Sequence, residues 1–295
     1  MTSYSVSVVV PLYNESQNVF PLVDEITDVF DATEHDWELI LVNDGSSDDT
    51  PQKMQEAQNK QPRVNPIDLQ RNFGQTAAMQ AGIDAAKGDL IVTIDGDLQN
   101  DPNDIPLMID ELIERDLDLL QGWRYDRQDK LVSRKIPSKI ANKIIGKVSG
   151  LTLHDYGCSL KVYRADIIKQ VQIYGEMHRF IPIWVANVTA PSRIGETKVN
   201  HRSRQFGESK YGISRTFRVI VDILSAFFFL KFRARPGHFF GIIGLAVGAI
   251  GGLLLTYLGF LKLCLGEDIG HRPLLQIATF LIIASMQFLT TGVIA

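Results

Sequence analysis

Residues 88–102 read GDLIVTIDGDLQNDP. Leu90 to Ile94 is a short apolar run, rich in β-branched residues and preceded by a turn-forming Gly-Asp, the pattern of a strand buried on both faces. Two aspartates, Asp95 and Asp97, follow at its carboxyl end, and the glycine between them lets the backbone turn sharply. Open α/β sheets bind ligands at the carboxyl ends of their strands. Two hard carboxylates there can hold a divalent cation, which in turn neutralises the phosphates of a nucleotide. Asp-Gly-Asp is also ordinary turn chemistry, so the pair alone does not decide between a surface turn and a metal site.

Around this stretch, strand and helix patterns alternate. Ser5 to Val10 is β-branched, and Pro11 to Glu15 is expected to leave the sheet. Residues 16–32 show helical periodicity at Val19, Leu22, Val23, Ile26, Val29 and Phe30. Trp37 to Val42 reads as a second strand, ending in Asn43-Asp44-Gly45-Ser46-Ser47, with Asp48 and Asp49 placed to cap the next helix. A strand near 65–69 and a helix near 75–86 lead into the central strand, and a helix near 104–115 and a strand near 117–123 follow it. This alternation predicts an α/β fold with a mostly parallel, doubly wound sheet. The first turn, PLYNES, lacks GxGxxG, and there is no Walker A motif, so neither the dinucleotide fingerprint nor a P-loop is present.

The net charge of -4 conceals three blocks. Residues 1–129 carry 8 Lys+Arg against 26 Asp+Glu, residues 130–238 carry 20 against 6, and residues 239–295 carry two of each. Such a series suggests three environments. It divides the chain into an acidic half (1–129), a basic half (130–212), an interfacial helix with its linker (213–238) and a hydrophobic tail (239–295). The basic block adjoins the tail, which favours an anionic membrane surface over nucleic acid as partner. Within it, Lys135, Lys139, Lys143 and Lys147 run parallel to Ile136, Ile140, Ile144 and Val148, the pattern of a basic amphipathic helix lying in a headgroup layer. Ile213 to Phe232 is apolar but interrupted by Arg215, Arg218 and Asp222, which fits a second interfacial helix.

Phe239 to Leu261 and Leu274 to Ala295 are uncharged runs of 23 and 22 residues. Each is long enough to span a bilayer as a helix, at about 1.5 Å per residue. Lys231, Arg233, Arg235 and His238 precede the first run, which puts its N-terminal end on the cytoplasmic side of the inner membrane. Gly244, Gly248 and Gly252 form a small-residue face, for packing within the hairpin or between copies of the chain. Cys158 and Cys264 are the only cysteines, so no disulfide framework is expected. The N-terminus lacks a basic n-region and is not expected to be a signal peptide. The chain ends inside the second run without a polar flank, which suggests a natural continuation.

Six motifs, VPLYNE, VNDGSSDDT, RNFGQTAAMQAG, DGDLQNDP, DYGCSLKVYR and RQFGESKY, occur in this order. Together they resemble the family 2 glycosyltransferases of GT-A fold, in the branch acting on polyprenyl phosphates: dolichol-phosphate mannose synthases, bacteriophage-type glucosyl transferases and undecaprenyl-phosphate aminoarabinose transferases. The likeness runs from about residue 5 to 230, and a two-span tail is typical of the bacterial members. It implies a nucleotide-sugar-binding domain in which Pro11, Tyr13, Glu15 and Asp44 hold the base and ribose. Asp95 and Asp97 would bind Mg²⁺ or Mn²⁺ with the donor diphosphate, assisted by Gln99. The sequence has DGD where many relatives have DAD, a change expected to matter little because only the outer residues ligate. Arg204, Ser209 and Lys210 match the segment that contacts phosphate at the membrane face, with Arg202 and Arg124 as further cations.

The implied reaction moves a sugar, with inversion and without a covalent intermediate, from a nucleotide diphosphate to a polyprenyl phosphate such as undecaprenyl phosphate, with UDP favoured as carrier. A phosphate monoester has a second pKa of about 6, so this nucleophile needs positioning more than deprotonation. Asp155 matches a conspicuous family aspartate that orients the acceptor or serves as base; His154 is the weaker alternative. A processive polysaccharide synthase would carry a QxxRW motif and more spans, neither of which occurs. A non-catalytic nucleotide-sugar-binding scaffold would be expected to have eroded acidic motifs.

Overall fold

The computed structural model describes residues 3–125, 150–175, 177–203, 228, 232 and 235–294. The predicted basic helix around Lys135–Lys147, most of the predicted interfacial segment 213–232, and Arg204, Ser209 and Lys210 lie outside the described residues. The chain forms two compact units, residues 1–226 and 227–295.

The first unit is built on strands β1 (Ser5–Leu12), β2 (Asp36–Asn43), β3 (Val64–Asp68), β4 (Leu90–Thr93), β5 (Leu119–Arg124), β6 (Lys161–Arg164) and β7 (Ile194–Val199), in the order β3-β2-β1-β4-β6-β5-β7. Only β6 runs antiparallel to its neighbours. The helices α1 (Val19–Asp31), α2 (Thr50–Lys60), α3 (Gln75–Ala85) and α4 (Asp104–Glu114) connect the first five strands. Alternate residues of β1 decide the layering. Val6, Val8, Val10 and Leu12 enter one core with Leu22 and Ile26 of α1 and Ile105 and Met108 of α4. Val9 faces α3, where Gly82 permits close approach: a Cβ there would lie 2.3 Å from Val9 Cγ1. Both sheet faces are thus covered, as continuous apolar strands require.

The sheet differs from expectation at its edges. Pro11 and Leu12 stay in β1, paired with Val42 and Asn43, instead of leaving the sheet. Proline is tolerated there because β4 pairs with β1 only as far as Val9, and Ile94 donates to the Val9 carbonyl as the last rung. By strand alternation the missing Pro11 N–H falls on that already vacated side. Pro66 is tolerated in β3 because β3 is an edge strand. At α2, Asp48 Oδ1 accepts the Thr50 amide at 3.0 Å, whereas Asp49 makes no side-chain cap. No element was expected at β6 or β7, both short and both carrying charged residues.

The second unit contains α5 (Pro236–Cys264) and α6 (Pro273–Ile294), both long and apolar enough to cross a membrane. They pack on each other through Gly244 and Gly248: added Cβ atoms would lie 2.9 Å from Leu289 Cγ and 2.6 Å from Ser285 Oγ. Ser285 Oγ donates to the Gly244 carbonyl at 2.7 Å. Those two glycines therefore serve the hairpin itself, while Gly252 has open space and its neighbour Gly251 makes the contact instead.

Candidate active site

From β1 the chain steps to β2 and β3 on one side, then crosses to β4 on the other. The carboxyl ends of β1 and β4 thus border a topological switch point, where open sheets form a crevice. On the β1–β2 side, two turns interlock. Asn14, with φ of 52°, donates its amide to Ser46 Oγ at 2.9 Å and accepts from the Ser47 amide at 2.8 Å. The Glu15 amide donates to Thr50 Oγ1 and the Ser16 amide to Asp48. Tyr13 remains exposed at the lip, and Glu15 accepts from Asn18 Nδ2. Asp44 is buried, and its two oxygens accept the amides of Phe73 (2.7 Å) and Gly74 (3.0 Å). It therefore clamps the loop ahead of α3.

On the β4 side, Asp95 and Asp97 sit on the turn that leaves Thr93. A Cβ on Gly96 would fall 2.2 Å from Leu12 Cδ2, so an alanine here would require the Leu12 side chain to move. Leu98, buried with φ of 59°, holds a left-handed conformation unusual for a non-glycine residue; such strain concentrates at functional turns. Asp95 accepts Gln75 Nε2 at 2.7 Å. Burial, and then the neighbouring Asp97, raise the Asp95 carboxyl above the usual carboxylate range, against a Ser159 hydrogen bond and the charges of Lys161 and Arg124.

The turn before β6 is stapled to this corner. Thr93 Oγ1 donates to the Ser159 carbonyl at 2.9 Å, and Asn100 Nδ2 donates to Ser159 Oγ at 2.8 Å. Lys161 is fully buried, with its ammonium on the Cys158 carbonyl, which also accepts Gln121 Nε2 at 3.0 Å. Burial pulls the Lys161 ammonium down to about 8, opposed by Cys158, Asp95 and Asp155. Arg124 and Asp155 form a bidentate pair at 2.7 and 3.0 Å. Burial lowers the guanidinium pKa, and the Asp155 hydrogen bond and charge outweigh it. Asp155 also accepts the Gly157 amide, so both its oxygens are engaged. His154 stacks on Trp123 at 4.2 Å and pairs with Glu196.

Gln99 and Arg202 meet through backbone: the Arg202 amide donates to the Gln99 carbonyl at 2.7 Å, next to an Asn100–His201 bridge. The Arg202 guanidinium is engaged by Glu25 (2.8 Å) and Asp101 (2.7 Å). These two carboxylates tie the segment after β7 to α1 and to Asp101. The structure brings Pro11, Tyr13, Glu15, Asp44, Asp95, Asp97, Gln99, Arg124 and Asp155 to the carboxyl edge of one sheet. Sequence reasoning passed over Gln75, Ser159 and Lys161. The available signal was a lysine inside the apolar run Leu160–Tyr163, since a lysine buried in a strand requires a partner.

The family model described as "Glycosyl transferase family 2" matches residues 7–172, more than half of the chain. The chain belongs to glycosyl transferase family 2. The chain is 58% identical over 294 residues to the dodecaprenyl-phosphate galacturonate synthase of Rhizobium johnstonii (strain DSM 114642 / LMG 32736 / 3841), covering 99% of this chain and 87% of that one. It is 36% identical over 264 residues to the undecaprenyl-phosphate 4-deoxy-4-formamido-L-arabinose transferase of Aeromonas hydrophila, covering 89% and 78%. The fold is shared with glucosyl-3-phosphoglycerate synthase from Mycobacterium tuberculosis, crystallised with Mn²⁺, UDP and product. That match has a TM-score of 0.61 and 15% identity, and covers 77% of this chain and 80% of that one.

The donor set of this family 2 transferase suits a hard divalent cation. Asp95 and Asp97 are half-buried carboxylates held close together, and a cation on the pair would remove the repulsion between them. No group of three or more His, Cys, Asp or Glu that could hold a metal occurs among the described residues. Two carboxylates, with the remaining positions left to substrate phosphate and water, is the Mg²⁺ mode of binding.

Proposed function

We propose that this family 2 glycosyltransferase moves a sugar from a nucleotide diphosphate, UDP by preference, to a polyprenyl phosphate at the cytoplasmic face of the inner membrane. The observation that carries the reading is the half-buried pair Asp95 and Asp97 at the switch point of the sheet, in a chain that also bears two membrane-length helices. The names of the relatives support the acceptor class. The relative at 58% identity makes a hexuronate the first sugar to try.

Asp95 and Asp97 would hold Mg²⁺ or Mn²⁺, which supplies electrostatic stabilisation of the charge growing on the departing diphosphate. The interlocked turns around Tyr13 and Asn14 supply a rigid ledge for the nucleoside, consistent with the roles expected of Pro11, Tyr13 and Glu15. The lipid phosphate arrives substantially ionised and needs no base. Asp155 fits that economy: engaged on both oxygens, it orients Arg124 beside the acid corner and does not collect a proton. We assign Arg124, with Arg204, Ser209 and Lys210 of the RQFGESK segment, to the acceptor phosphate. Displacement at the anomeric carbon then proceeds once, with inversion.

Membranes containing the full chain, incubated with Mn²⁺ and labelled UDP-sugars including a UDP-hexuronate, should yield a glycosylated polyprenyl phosphate in the lipid extract. A polymer, or donor binding without any product, would contradict the proposal.

A further inference from the structure

Asp95 sits at the end of a chain of contacts that begins at the base side of the crevice. Asp44 takes the amides of Phe73 and Gly74. The turn at Gly45 lies directly against the same loop: a Cβ there would be 2.3 Å from the Arg71 carbonyl carbon and 2.4 Å from the Asn72 nitrogen. The loop is thus seated on the end of β2, and it closes with Gly74 at φ 96°, ψ 154°, a conformation open essentially to glycine alone. The next residue, Gln75, starts α3 and places its side-chain amide 2.7 Å from Asp95 Oδ1. RNFGQ, which the functional reading leaves without a role, is the segment that carries this contact.

We infer that Gln75 is a positioning residue of the transfer site, acting through Asp95, with the Asp44-clamped loop fixing Gln75 in turn. This rests on the reading of Asp95 and Asp97 as cation ligands. The geometry favours it over an incidental surface bond for two reasons. A glutamine amide is a donor without charge, so it can fix one carboxylate oxygen without competing electrostatically for the cation on the other. Asp95 is half-buried and is held by donors on two sides, Gln75 on Oδ1 from α3 and Ser159 from the turn before β6. Groups that orient a metal ligand from behind change affinity or activity by about 10–100-fold when removed.

The test uses the full chain in detergent with UDP present, titrating Mn²⁺ and following the free ion by electron paramagnetic resonance. Gln75→Leu should weaken Mn²⁺ binding by about 10–100-fold. The Mn²⁺ concentration for half-maximal turnover should rise in parallel, with the KM for polyprenyl phosphate unchanged. If that variant does not fold, Gln75→Met, unbranched like glutamine, takes its place. Mn²⁺ affinity within about twofold of wild type, well short of the range expected for an outer-shell partner, would overturn the inference. So would a loss in which acceptor KM and unfolding temperature move together with the metal, since that is a packing defect. Asp97→Ala separates the two levels. If it loses Mn²⁺ while Gln75→Leu keeps it, only the positioning role fails; if it too binds like wild type, the cation reading fails.

Discussion

Two aspartate corners, Asp118 at the amino edge of the sheet and Asp95 at the carboxyl edge, are held in opposite ways. At the amino edge, Asp118 lies buried at the start of β5 with Arg193 at 2.8 Å and a Thr189 hydroxyl, and Arg193 and Arg164 also reach Asp116. Asp89, before β4, accepts the Ser5 hydroxyl at 2.6 Å. Burial raises the Asp118 carboxyl, but the hydrogen bonds of Arg193 and Thr189 and the arginine charges outweigh it, and the net shift is downward. At the carboxyl edge, Asp95 is raised by burial and by a second acid beside it. The first acid is neutralised by arginines and contributes to stability; the second has another acid beside it, only partly offset by Lys161 and Arg124. Sites held in that condition are those reserved for a ligand that supplies the missing charge.

The comparison breaks most visibly under substitution at the carboxyl edge. Asp97→Ala should reduce transfer by about a thousandfold or more, the loss expected when a principal electrostatic stabiliser is removed, measured as glycolipid formed per enzyme. Near-normal turnover would place the cation elsewhere. Arg124→Met should cost less, about a hundredfold in kcat/KM for the lipid acceptor, and should also destabilise the fold, because it leaves the mostly buried Asp155 without its partner. Unfolding temperature and acceptor kinetics on one preparation check both.

At the amino edge, Asp118→Asn should lower the unfolding temperature by several degrees at neutral pH without changing transfer. The sign follows from the lowered carboxyl. Its stabilisation is fully present above the ordinary carboxylate pKa and is lost as pH falls through the depressed folded value, so the variant should have a flatter acid limb. Asp95→Asn should do the reverse on a smaller scale. A carboxyl whose folded value is raised disfavours the folded state once pH exceeds its unfolded value, so the substitution should slightly raise the metal-free unfolding temperature near neutrality. A drop there would show that the two edges do not differ in kind.

These edges were not equally legible. The central strand, the acid pair, the first five strands and the four helices between them follow from β-branched runs, helical periodicity and turn residues, signals that are local in sequence. The hairpin is legible because uninterrupted apolar runs of that length have few other uses. β6 and β7 are hidden because their evidence is pairing: Lys161-Val-Tyr-Arg is a strand only because β4 and β5 flank it. Arg202 reads from sequence as one more cation near a basic motif, and only the fold reveals that Glu25, 177 residues away, claims it. Gln75 is invisible for the same reason, since nothing in RNFGQ announces a neighbour twenty residues on. The family motifs named candidate ligands; the contacts made behind them are visible only in the fold.

The account depends on the paired acids Asp95 and Asp97 at the carboxyl edge being a cation and donor-diphosphate site. Calorimetric titration of UDP into the full-length detergent-solubilised protein, with and without Mn²⁺, tests this directly for wild type and Asp97→Ala. The account predicts Mn²⁺-dependent UDP binding that Asp97→Ala abolishes while its unfolding temperature holds. UDP binding that is indifferent to Mn²⁺, or unchanged in Asp97→Ala, would contradict it.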